Sequence, residues 1–94
     1  MDKVFCMGWV YSLKTEVLKN GTVQTTFKLK TKKTVGMKDR DKAEYYYIPC
    51  HVRGKKAINI NEHIHEGDGI CFWARIWLDD IGRLTLAVDE LEFL

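Results

Sequence analysis

The sequence predicts an all-β fold, a closed five-stranded Greek-key barrel with one short helix between its third and fourth strands. Three observations predict it. Apolar and polar residues alternate in five separate runs, turn-forming residues separate most of those runs, and only residues 56–64 switch to spacings of three and four. Alternation with a period of two marks a strand with one buried face, whereas a period near 3.6 marks a helix. With 94 residues, 46% hydrophobic and 30% charged, the chain can bury one core and does not read as disordered. A single domain over 1–94 with no C-terminal tail is therefore expected.

The first strand covers 4–11, VFCMGWVY, with Val4, Cys6, Gly8 and Val10 on one face and Phe5, Met7, Trp9 and Tyr11 on the other. Gly8 inside it suggests a bend or a close backbone approach. Asn20-Gly21 signals a hairpin, because both residue types tolerate positive φ. In the second strand Val23, Thr25, Phe27, Leu29 and Thr31 face inward, and Gln24, Thr26, Lys28, Lys30 and Lys32 face outward. Residues 34–43, TVGMKDRDKA, read as a polar loop. The third strand has Tyr46, Ile48, Cys50 and Val52 inward and Tyr45, Tyr47, Pro49, His51 and Arg53 outward. Pro49 cannot donate to a ladder, so this strand is expected to be an edge or to break there.

Ala57, Ile60 and Ile64 share one helical stripe, and Gly67 and Gly69 end that element. Ile70, Phe72, Ala74 and Ile76 then alternate with Cys71, Trp73, Arg75 and Trp77 as the fourth strand. Asp79-Asp80-Ile81-Gly82 makes a tight turn before a fifth strand from Leu84 to Leu94. Three strands, a helix and two strands is the element order of the oligonucleotide/oligosaccharide-binding (OB) fold. A small sandwich of short strands is the alternative.

The net charge of +2 hides an asymmetry. Residues 1–56 hold thirteen Lys or Arg against five Asp or Glu, and residues 57–94 hold two against eight. A basic half suits a polyanionic partner. Aromatic rings interleave with that charge, most densely in AEYYYIPCHVRGKK at 43–56. Unstacked bases need flat rings and their backbone needs cations, so a binder of single strands without sequence preference wants both on one surface. Lys28, Lys30, Lys32, Tyr45, Tyr47 and Arg53 supply both on strands expected to be adjacent, and Lys55 extends the cationic row. Lys33, with Lys38, Arg40 and Lys42, is placed to close over a bound strand. Trp73 and Trp77, with Arg75 between them, form a second stacking patch on the fourth strand, with Trp77 assigned to nucleic acid and Trp73 left open between nucleic acid and a subunit contact. The plainer alternative is that the tyrosines cover a subunit contact while the lysines are solvated.

At YIPCHVRGKKAININEHIHEGDGI, residues 47–70, the chain resembles the bacterial and phage single-stranded DNA-binding proteins of the simple OB-fold type. Tyr47, Ile48, Pro49, Cys50, Val52, Gly54, Lys55, Ala57, Asn59, Gly67 and Ala74-Arg75-Ile76 fall at the spacing of that family, as do Gly8, Gly21 and the closing VDELEFL. The resemblance implies a non-catalytic protein that coats single-stranded DNA in replication or recombination. It also implies that the outer face of the first strand, Phe5, Met7 and Trp9, pairs subunits into a dimer or tetramer. Trp73 is grouped with that contact. Departures are Tyr47 where the family has Trp, Arg53 where it has a large apolar residue, and a short hairpin between the last two strands. The chain end at Leu94 suggests a minimal phage or mobile-element version.

Other chemistries find little support. His51, His63, His65, Cys50 and Cys71 match no common zinc spacing, so neither a metal nor another cofactor is expected. Asp79-Asp80 and Asp89-Glu90 are neighbours whose side chains diverge, and no nucleophile sits with a base, so no enzyme activity is expected. No run of 18–20 apolar residues crosses a membrane, and MDKVFCMGWV lacks the basic cluster of a signal peptide. Cys6, Cys50 and Cys71, an odd number far apart, suit reduced thiols in the cytoplasm, on the nucleoid or in an infected cell. Two rival functions share the fold: a primosomal accessory module that docks on a replication or recombination protein, and a single-stranded RNA binder.

Overall fold

In the computed structural model residues 3–32 and 44–94 are described. They form β1 (Lys3–Val17), β2 (Val23–Lys32), β3 (Tyr45–Arg53), α1 (Lys55–His63), β4 (Gly69–Leu78) and β5 (Leu84–Phe93). Lys33, Lys38, Arg40 and Lys42, assigned from the sequence to a closing loop, lie outside the described residues. The strands close a barrel in the order β1-β2-β3-β5-β4, with β4 returning to β1. Only β3 and β5 run parallel. This is the OB fold that the element order predicted.

Closure depends on β1, which is longer than the predicted 4–11 because it serves two neighbours. Lys3–Trp9 pairs with β4, and Trp9–Val17 pairs with β2. At the crossover, Gly8 brings the two backbones together. A Cβ there would lie 2.5 Å from the Lys30 carbonyl oxygen and 3.0 Å from Leu29 Cδ1. Beyond it a bulge falls between Tyr11 and Lys14, with Ser12 at φ 55°. The extra residue breaks the two-residue period, so alternation alone stops at Tyr11. The freed Leu13 N–H donates to the Glu66 carboxylate.

Inside, Phe27 and Phe72 meet edge to face at 6.1 Å, surrounded by Val10, Leu29, Val52, Ile70, Leu86 and Val88. The predicted stripe of α1 plugs the barrel: Ala57 and Ile64 are buried and Ile60 packs against the core. Buried Thr25 ties the helix down, its Oγ1 donating to the Ala57 carbonyl at 3.2 Å. Gly54 starts α1 at φ 78°, ψ −146°, a region only glycine enters freely.

Several inward assignments need correction. Tyr46 is 51% exposed and Ile76 44% exposed. The β3–β5 ladder starts only at Cys50, where Leu86 pairs with it, so Tyr46 projects past the closed part of the barrel and Ile76 sits at its rim. Pro49 explains that start. It has no N–H to give, and β3 stays unbroken on its other side by pairing with β2 from Tyr45 to Arg53. Asn20 does not adopt positive φ. Its Oδ1 instead accepts from the Thr22 N–H at 3.0 Å, and Gly21 alone takes φ 84°.

Candidate nucleic-acid interface

The outer face of β1, β2 and β3 collects rings around a lysine row. Ladder register places Trp9 opposite Lys30 and Lys30 opposite Tyr47; Tyr11 stands opposite Lys28, and Lys28 opposite Pro49. Lys32 pairs with Tyr45. With a period of two, all these side chains leave the barrel on one side. Trp9, Tyr11, Tyr45 and Tyr47 remain 44, 48, 38 and 47% exposed. Tyr11 and Tyr47 reach across β2 to a centroid separation of 5.3 Å. Lys30 Nζ stands 4.4 Å above the Tyr45 ring, an arrangement that contributes about 0.5–1 kcal/mol at an exposed site. These contacts hold the rings and the ammonium in place before any ligand arrives.

A second groove of about 560 Å³ continues from this face toward the β4–β5 hairpin. Lys28 belongs to both regions, and Arg53, His51, Trp77 and Arg83 line the rest. Arg53 Nε donates to Gln24 Oε1 at 2.7 Å, which fixes its guanidinium along the strand. His51 lies edge-on to Trp77 at 6.1 Å and within 3.2 Å of Thr85 Oγ1. Burial, with Arg53 as a second cause, lowers the His51 pKa below the ordinary histidine value, which favours a neutral ring at pH 7. At the hairpin tip the Asp79 carboxylate accepts from the N–H groups of Ile81 and Arg83 and from Arg83 Nε at 3.1 Å. Those bonds keep Asp79 ionised well into acid and steady Arg83.

The sequence-derived site is thus partly assembled. Lys28, Lys30, Lys32, Tyr45 and Tyr47 share one face, with Arg53 and Trp77 in the adjoining groove. Arg75 lines a further groove with His51, Arg53 and Trp77, where its guanidinium is bonded to Asp89 at 3.3 Å. Lys55 opens α1, at the far end of β3 from Tyr45. Trp9, which the sequence groups with a subunit contact, lies beside Lys30 and Tyr45 at the end of the outer face that also carries Phe5 and Met7. Phe5 and Trp73 do pair, at 5.2 Å, and with Met7 they form an exposed apolar patch on β1 and β4. Tyr11, Arg83 and Glu66 add to the residues that the sequence points to: Tyr11 shares the period of Trp9, while Arg83 and Glu66 come into place only through a turn and a loop.

Burial, with nearby Cys6 contributing, pushes Cys50 up to about 12, and desolvation raises Cys6 as well, so both thiols stay protonated. Among the described residues no group of three or more His, Cys, Asp or Glu is placed to hold a metal ion. No described helix is long and apolar enough to cross a membrane.

Two solved structures of the protein PriB from Ralstonia solanacearum share this architecture. One superposes with a TM-score of 0.77 at 13% identity, covering 99% of this chain and 97% of its own. The other gives 0.76 at 11% identity, covering 100% and 99%. At such identities the likeness carries the fold. No protein-family model and no curated protein matches the chain.

Proposed function

We propose that this protein is a non-catalytic binder of single-stranded DNA, without sequence preference along most of the strand, that coats such strands in replication or recombination. The observation that carries the reading is the single outer face on which Trp9, Tyr11, Tyr45 and Tyr47 surround Lys28 and Lys30. Bases stack on the rings, each ring contributing about 1–3 kcal/mol, while the lysines and Arg53 take the phosphates. In this reading Trp77 and Arg83 extend the track along the second groove. The Phe5–Met7–Trp73 patch is the contact between copies, because an exposed apolar surface of this kind wants a cover.

The test is titration with oligo(dT) at several salt concentrations, followed by tryptophan fluorescence. Log affinity should fall against log salt by about 0.7 for each phosphate neutralised, hence a slope near −3 if Lys28, Lys30, Lys32 and Arg53 each hold one. Trp9 and Trp77 lie on the track and should be quenched. A salt-independent signal without quenching would defeat the proposal.

A second reading, a primosomal accessory module that docks on a replication protein, draws on the fold likeness to PriB. Feeble DNA affinity together with co-purification of a helicase or primase is the outcome that favours it.

A further inference from the structure

We infer that the groove beside Trp9 reads nucleobases through their amino donors, with Glu66 as the specificity-determining residue, so that guanine is preferred to thymine at one position of a bound strand. The inference rests on the single-strand binding proposed above and adds a chemical preference to it.

The groove holds about 490 Å³ between β1 and the loop that joins α1 to β4, and its wall includes Trp9, Tyr11, Lys30, Tyr45 and Glu66. That volume falls within the roughly 300–1,000 Å³ usual for small-molecule sites. Three rings offer stacking surfaces and one ammonium offers a phosphate contact. A carboxylate in such a place is unexpected, since it repels the polyanion that the rest of the face attracts. Among the side chains that line the groove, an ionised Glu66 accepts only, whereas the Tyr11 and Tyr45 hydroxyls donate as well as accept.

Glu66 is not a loose side chain. Its carboxylate accepts the Leu13 N–H released by the bulge in β1. The loop beneath it is pinned to Val10 of β1 by two bonds: Gly67 N donates to the Val10 carbonyl at 2.8 Å, and Val10 N donates to the Asp68 carbonyl at 2.9 Å. A carboxylate has about four lone-pair sites, so one bond to Leu13 leaves acceptor capacity facing the groove. An ionised carboxylate accepts and never donates. Guanine presents adjacent N1–H and N2–H donors on its pairing edge, a match for such an acceptor. Thymine presents one N–H flanked by two carbonyl oxygens, which a carboxylate repels. Cytosine and adenine present one amino group each and fall between. Recognition of splayed single-strand bases along their pairing edges is a general mode of single-strand reading.

The experiment compares oligo(dT) of about twelve nucleotides, within the usual span of one OB fold, with the same strand carrying dG at alternate positions. A third strand carries inosine in place of guanine and so lacks the N2 amino group. Competition by fluorescence anisotropy is read for the unaltered protein and for Glu66→Gln, whose side-chain carbonyl can still accept the Leu13 N–H. The unaltered protein should favour the dG strand at least about fivefold, the lower end of discrimination by a two-donor contact, and inosine should surrender most of that gain. Glu66→Gln should lose or reverse the preference. Equal affinity for the dG and dT strands, or a preference that Glu66→Gln leaves intact, overturns the inference while single-strand binding itself stands. Failure to bind any strand overturns both, so the two failures are distinct. The comparison among strands with the unaltered protein needs no variant to fold.

Discussion

Tyr47→Ala weakens binding of oligo(dT) by about 1–3 kcal/mol, roughly 5- to 150-fold, because it removes a ring at the centre of the stacking face. Tyr47 stands opposite Lys30 in the ladder and 5.3 Å from Tyr11, so its loss also unseats the neighbouring ring. Stability should change much less. The side chain is 47% exposed, and the ring pair it leaves contributes about 0.5–1.5 kcal/mol. Tyr47→Phe keeps the stacking surface and should bind nearly as the parent does. Fluorescence titration and a thermal melt on the same samples separate the two effects. Unchanged affinity in the alanine variant would remove Tyr47 from the track.

Gly8→Ala costs about 3 kcal/mol of stability, the upper end of the range for an inserted methyl group. The added carbon meets the Lys30 carbonyl at 2.5 Å, and that neighbour is backbone, which cannot rotate away. One strand must therefore move. The crossover of β1 from β4 to β2 happens here, and the next residue is Trp9, so displacement also shifts the ring beside Lys30. Melting temperature should fall by roughly 4–8 °C for each kcal/mol in a domain of this size. Binding should weaken even at temperatures where the variant remains folded. A melt within a degree or two of the parent would mean that the barrel closes without this contact.

Periodicity made the architecture readable because a half-buried strand writes its two faces directly into alternation. Val10, Phe27, Leu29, Val52, Phe72 and Ala74 fall in the core where the pattern puts them. The switch to three-and-four spacing at Ala57, Ile60 and Ile64 likewise located the plug. Alternation failed where its premise failed. A bulge at Ser12 hid the second half of β1, and the rim of the barrel exposed Tyr46 and Ile76, since a period says which way a side chain points but not whether anything stands there.

The candidate site was readable to the extent that it lies on regular strands. Lys28, Lys30, Tyr45 and Tyr47 share a face by period alone once β2 and β3 are neighbours. Asn20-Gly21 already makes β1 a neighbour of β2, but the bulge after Tyr11 sets the register that puts Trp9 opposite Lys30, and alternation does not show it. Glu66 and Arg83 depend on where a loop and a hairpin tip return to the barrel, information held in long-range pairing and in the Asp79 turn. Arg75 lines one groove with Arg53 and Trp77, but its ion pair with Asp89 depends on the β4–β5 register, which alternation does not give.

Backbone amide shifts followed by NMR during addition of oligo(dT) map the surface that a bound strand covers. The largest changes should cluster at Trp9, Tyr11, Lys28, Lys30, Tyr45 and Tyr47, spread next to Arg53 and Trp77, and leave Phe5, Met7 and Trp73 nearly still. Changes concentrated on the Phe5–Met7–Trp73 patch, or scattered evenly around the barrel, would contradict it.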